Sequence, residues 1–152
     1  MIAAAAKWLA LAGGAIFSAI TLMSAASVAG RLVGRPLQGD FELVQLCCAV
    51  AIACCLPYCQ VRRGHIIVDF FTLRAADRTR RALDALGALL LAVVMALAAW
   101  RTGAGAVAMK ASNETSMIMG LPVWYAYALM TPAFALTTLA ALDSAWCDWK
   151  AR

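Results

Sequence analysis

Residues Trp8 to Gly30 read WLALAGGAIFSAITLMSAASVAG, twenty-three residues without a charge. A helix needs about 20 apolar residues to cross the hydrocarbon core of a bilayer. Lipid offers no partners for N–H and C=O groups, so such a segment must bond its backbone internally, as a helix does. Three further stretches have the same character: Phe41 to Val61, about Leu83 to Val107 with Arg101 near one end, and Leu121 to Leu142. Of the 152 residues, 64% are hydrophobic and 14% charged. Soluble chains are roughly half apolar and about a quarter charged. A core this small cannot hold the excess. The expectation is an all-α membrane protein, one domain over 1–152 with four transmembrane helices.

The net charge of +5 is distributed as in a membrane protein, around apolar runs. No aromatic-basic surface or nucleic-acid motif accompanies it, which excludes nucleic acid as a partner. The loop between spans two and three holds Arg62, Arg63, Arg74, Arg78, Arg80 and Arg81; Lys7, Lys150 and Arg152 bring that side to nine. The other side has four: Arg31, Arg35, Arg101 and Lys110. Positive residues favour the cytoplasm, which puts both termini and the central loop inside. Trp8, Trp146 and Trp149 then fall near the inner interface, and Trp100, Trp124, Tyr125 and Tyr127 near the outer one, where such rings prefer to lie. Gln60 to Arg81 mixes Ile66, Ile67, Val68, Phe70, Phe71 and Leu73 with arginines, and reads as a basic segment lying along the cytoplasmic interface.

Local signals mark the helix ends. Asp40 is placed to cap the second span, and Glu42 sits in its first turn, where a carboxylate suits the helix dipole. Pro122 fits the first turn of the fourth span. Pro57 and Pro132 fall inside spans and should kink them. Lys7, an apolar run and Ser27-Val28-Ala29 resemble a cleavable signal, but the run exceeds the usual apolar core of about 7–15 residues, so the first span is expected to stay.

The residues that could carry chemistry do not form a reaction centre. Cys47, Cys48, Cys54, Cys55 and Cys59 lie in the second span and Cys147 at the inner end, without a Cys-x-x-Cys pair and with one histidine in the chain. Zinc wants four N or S ligands at characteristic spacing. A thiol oxidase needs paired cysteines in periplasmic loops. The cysteines read as small packing residues, and neither cofactor nor metal is expected. His65 and Asp69 are four apart and would share a helix face, a structural pair rather than a catalytic one. The middles of all four spans lack ionisable residues, which mark transport pathways in membranes. The chain is therefore no enzyme and has no evident coupling site of its own. Ala85, Ala88, Ala92, Ala96, Ala99, Gly103 and Ala106 recur at steps of three or four along the third span, a face on which another helix could pack closely. A spanning protein with packing surfaces and no site reads as an accessory subunit.

Three strings carry a family resemblance. They are Gly39-Asp40-Phe41-Glu42-Leu43-Val44, Arg63-Gly64-His65-Ile66-Ile67-Val68-Asp69, and Glu114-Thr115-Ser116 followed by Gly120-Leu121-Pro122-Val123-Trp124. In order, spacing and topology the chain resembles the DctQ-like small membrane subunit of tripartite ATP-independent periplasmic (TRAP) transporters. The resemblance implies structural roles for Gly39, Glu42, Gly64, His65, Asp69, Ser116, Pro122 and Trp124. It implies a place in the bacterial inner membrane beside a large multi-span permease subunit, which carries the substrate and sodium sites, and a transient periplasmic solute-binding protein that delivers an organic acid anion. The small subunit would brace the permease scaffold, with Ala85, Ala88, Ala92, Ala96, Ala99 and Gly103 as candidate contacts. Arg35, Asp40, Lys110 and Glu114 are candidates for docking the binding protein. The alternative is a four-helix accessory or assembly subunit of another membrane complex.

Overall fold

The structure is a computed structural model that describes residues 2–32, 34, 39–62 and 77–150. Four helices follow in order: α1 (Ile2–Leu32), α2 (Asp40–Val61), α3 (Asp77–Ala111) and α4 (Trp124–Lys150). Each is long and apolar enough to cross a membrane. The 22 residues of α2 rise about 33 Å, close to the hydrocarbon thickness. α3, with 35 residues, is about 52 Å long, so its charged start at Asp77 to Asp84 overhangs the apolar span that begins at Ala85. Both Pro57 and Pro132 lie inside helices that continue through them.

Two of the expected helix starts are corrected. The residue at the N-cap of α2 is Gly39, in the left-handed region at φ +81°. Asp40 is already inside the first turn, where its Oδ1 accepts the Phe41 N–H at 2.8 Å while its Oδ2 turns toward α1. α4 begins at Trp124, not Leu121, because Pro122 pairs with Thr115 in a short antiparallel bridge. The Ser116 N–H donates to the Leu121 carbonyl at 2.8 Å and the Val123 N–H to the Glu114 carbonyl at 3.3 Å, which holds this stretch out of the helix.

The helices pack in a row, not as a closed four-helix ring. α1 lies along α2, α2 packs on α4, and α4 lies along α3; α1 meets α4 lightly, and α3 packs on α4 alone among the described residues. The α1 seam is a strict seven-residue repeat, with Ala6, Gly13, Ile20 and Ser27 as its buried residues. Seven residues nearly complete two helical turns, so the repeat keeps one line of the helix toward its neighbour. Three of the four are small. At Gly13 a Cβ would meet the Ala51 carbonyl oxygen at 2.9 Å and the Cys54 Cβ and Cys55 Sγ at 3.1 Å, so the α1 backbone runs directly against α2.

The whole interior is small. The bulkiest fully buried side chains are Thr137, Pro57 and Ser27, whereas Leu86, Leu90, Leu97 and Trp100 are exposed. This suits a bundle whose surroundings are as apolar as leucine, where close approach of backbones drives association. The α4 hydroxyls bond along their own helix: Thr131 donates to the Tyr127 carbonyl, Thr137 to Ala133 and Ser144 to Ala140, at 2.8 to 2.9 Å. Hydrocarbon would otherwise leave these donors unpaired.

Candidate functional site

The end of the bundle that holds the α1–α2 and α3–α4 connections carries the polar constellation. It begins with the way α3 stops. The Glu114 N–H reaches the Met109 carbonyl and the Asn113 N–H the Lys110 carbonyl, with Asn113 at φ +51°. That is the Schellman ending, in which a left-handed residue lets the last carbonyls find donors. The chain then doubles back through a six-residue turn from Ser116 to Leu121. Its crown is closed by the Gly120 N–H on the Ser116 carbonyl at 3.1 Å. The Leu121 N–H donates to the Ser116 hydroxyl at 3.3 Å. Gly120 takes φ +63°, where a Cβ is disfavoured.

This turn is clasped by the start of α2. The Glu42 carboxylate accepts the Ile118 N–H at 3.2 Å on both oxygens and the Met119 N–H at 3.3 Å. Beneath it, Gly39 lies under the Met119 side chain, and a Cβ added there would collide with Met119 Cγ. Gly39 is therefore required twice, by its left-handed backbone and by the Met119 seat. Two sequence strings more than seventy residues apart thus form one interlock, which fixes the α3–α4 turn over the N-terminus of α2.

A second polar contact ties α2 to α1. Asp40 accepts the Ser27 hydroxyl at 2.5 Å and the Arg31 guanidinium at 2.8 Å. Ser27 is 1% exposed, so the last buried position of the α1 seam ends in a hydrogen bond. Beside the clasp, the Lys110 ammonium lies 5.1 Å over the Trp124 ring. The Trp124 and Tyr125 rings stack at 4.0 Å. The Met117–Ile118–Met119 crown faces outward, with Met117 98% exposed.

The expected residues divide accordingly. Gly39, Glu42, Ser116, Pro122 and Trp124 come together in and beside the clasp. Arg35, Gly64, His65 and Asp69 lie outside the described residues. Asp40 is bound within the chain, Lys110 is drawn over Trp124, and Glu114 is exposed. The small-residue stripe of α3 is largely taken up by the chain itself. Ala85 and Ala92 are buried, Ala88, Ala99 and Gly103 half-buried, and Ala96 exposed. A Cβ at Gly103 would touch Thr131 of α4 at 3.3 Å, and one at Gly105 would touch Tyr127 at the same distance.

Sequence reasoning missed the α1 seam, although its spacing of small residues was there to find. It also missed the union of the first and third strings, which local spacing cannot reveal. Cys47, Cys48, Cys54, Cys55 and Cys59 are free thiols, and Cys54 and Cys55 pack beneath Gly13.

Comparison with curated proteins and with solved structures gave no match. The profile described as "Tripartite ATP-independent periplasmic transporters, DctQ component" matches residues 20–151. That match runs from the middle of the α1 seam through both halves of the clasp to the end of α4. A multi-pass chain with this fold and a family match over most of its length is a transporter component: the protein belongs to the DctQ family, the small permease subunits of TRAP transporters.

Proposed function

We propose that this chain braces the large permease subunit of a sodium-driven TRAP transporter for organic acid anions, in a bacterial inner membrane, and helps seat the periplasmic solute-binding protein. Family membership supports the partnership. The observation that carries the bracing role is the outward face of α1. Ala12, Ala15, Ala19, Leu22, Ala26 and Ala29 recur there at steps of three and four, all exposed. Small residues at that period let a neighbouring helix approach closely. The partner surface in this reading is the outward face of α1, with Ala88, Ala96, Ala99 and Gly103 of α3 as further candidates, since Ala85 and Ala92 are buried.

Both termini and the Arg62–Arg81 segment are cytoplasmic in this reading, and the clasp end is periplasmic, on the strength of the nine-to-four bias in Lys and Arg. The exposed Glu114, with Arg35, then supplies rim charge for a transient partner. Such charges chiefly tune encounter rate and salt dependence.

Reconstitution tests the reading. Proteoliposomes holding the large subunit, with and without this chain, are loaded against a sodium gradient and supplied with binding protein and labelled organic acid. Uptake is expected only when this chain and the gradient are both present. Equal uptake without the chain, or after the gradient is collapsed, would overturn the role. Labelling of single cysteines at Ser112 and Arg74 in a cysteine-free background reads the orientation separately, with access from the periplasm expected at Ser112 alone.

A further inference from the structure

A cavity of about 330 Å³ opens between α1 and α4, with α2 as its floor. Ile16 comes from α1, Leu43, Leu46 and Val50 from α2, and Tyr125 and Ala126 from α4. The lining side chains are apolar apart from the Tyr125 hydroxyl and the Cys47 thiol. From Leu43 to Val50 the slot follows α2 for about 10 Å, starting at the clasp end and running into the span. Its volume is at the low end of ligand pockets, which run about 300–1,000 Å³. A single hydrocarbon chain fits.

The mouth supplies the complementary charge. Tyr125, on the wall, stacks on Trp124 at 4.0 Å, and Lys110 caps that stack with its ammonium 5.1 Å from the Trp124 ring. Among the described residues, Lys110 has no carboxylate partner, whereas Arg31 is neutralised by Asp40. A stacked aromatic pair therefore lies between the apolar slot and a cation without a carboxylate partner among the described residues, at the clasp end of the bundle. Aromatic rings and lysines take this position at the membrane interface.

We propose that the α1–α2–α4 slot holds one acyl chain of a phospholipid from the leaflet at the clasp end, with its phosphate drawn toward Lys110 across the Trp124–Tyr125 stack. The bound chain fills the wedge where α1 and α4 diverge, and completes the packing of α1 against the rest of the bundle. This site does not depend on the identity of the transported substrate or of the large subunit.

The full chain, with whatever membrane partner accompanies it, is reconstituted in phosphatidylglycerol vesicles containing a trace of the same lipid with a diazirine on one acyl chain. After illumination, peptides are analysed by mass spectrometry. Adducts per residue are expected to be about tenfold richer on Leu43–Val50 and Tyr125–Leu129 than on the exposed Leu86–Leu97 face, as suits a site about 1.4 kcal/mol better than bulk lipid. Ala126→Trp, which fills the slot, removes most of the excess and leaves the α3 adducts unchanged; Lys110→Gln lowers it about twofold. Equal labelling of slot and α3 would show bulk lipid only and overturn the site. So would an excess that survives Ala126→Trp. Should Ala126→Trp fail to accumulate, Leu46→Phe blocks the same slot from its floor.

Discussion

The outward faces of α1 and α3 share one period and differ in size. On α1 the exposed stripe is Ala12, Ala15, Ala19, Leu22, Ala26 and Ala29; on α3 it is Leu86, Leu90, Val93, Leu97, Trp100 and Val107. In water both would count as apolar surface to be hidden. In a bilayer they differ, because lipid solvates large aliphatic groups well, while small residues leave grooves that another helix fills better than acyl chains do. α3 is thus fitted to lipid on its outer side and to α4 on its inner side. α1 packs on α2 through Ala6, Gly13, Ile20 and Ser27, and in the function proposed above its outer alanines receive a further helix. Hydropathy alone treats the two helices as equivalents. Side-chain volume, read against burial, separates them.

Breaking the inner seam should have the largest effect. Gly13→Leu places a side chain where even a Cβ meets the Ala51 carbonyl at 2.9 Å. The expected loss is about 3 kcal/mol or more, at or beyond the upper end for overpacking. It is measured as loss of folded chain in detergent unfolding, with or without a partner. Unchanged stability would mean that α1 does not seat on α2 as described.

The outer face of α1 comes next. The pair Ala15→Leu and Ala19→Leu should leave the isolated chain as stable as before and reduce co-purification of the large subunit about tenfold, a loss near 1.4 kcal/mol. Leu90→Ala with Leu97→Ala on α3 should change recovery of the complex by less than about twofold. The reverse outcome, with α3 sensitive and α1 tolerant, would transfer the partner surface to α3. Ala92→Leu refines the contrast further. Ala92 is 2% exposed, so its enlargement should destabilise the chain itself before any effect on partnership appears.

The clasp should respond locally. Glu42→Ala frees the Ile118 and Met119 amides, and hydrogen exchange at those two residues should quicken about tenfold while the helix centres keep their protection. Gly39→Ala should reproduce the effect through a different cause, since it strains a left-handed backbone and displaces Met119. Slow exchange in both variants would show that the turn is fixed by something other than the clasp.

The smallest effect is expected at the rim. Glu114→Lys should alter uptake by about threefold or less, and only at limiting binding protein, because an exposed charge contributes roughly 0.2–1 kcal/mol. The difference should shrink as salt rises, since screening acts over about 10 Å at 0.1 M. A salt-independent effect would place Glu114 in a buried contact instead.

The amino-acid sequence by itself determined the helix count and the family. Long uncharged runs leave lipid-exposed backbone no alternative to the helix, and residue order alone shows those runs. It also located Gly39, Glu42, Ser116, Pro122 and Trp124 as residues of consequence. What they do was decided by tertiary structure. Asp40 looks like a cap, yet Gly39 holds the cap position, and the Asp40 carboxylate divides between the Phe41 amide of the first turn and Ser27 and Arg31 of α1. Pro122 looks like a helix start, yet pairing with Thr115 delays α4 to Trp124. Alanines at three- and four-residue steps mark a close-packing face on α1 and α3 alike, but periodicity does not say what packs there. Only the three-dimensional arrangement shows that α4 lies along α3 and buries Ala85 and Ala92 of its stripe, while the outer alanines of α1 are uncovered. The physical reason is that helix formation is settled by each segment's own backbone in lipid, whereas the neighbour of each face is settled by which pairs of surfaces approach most closely.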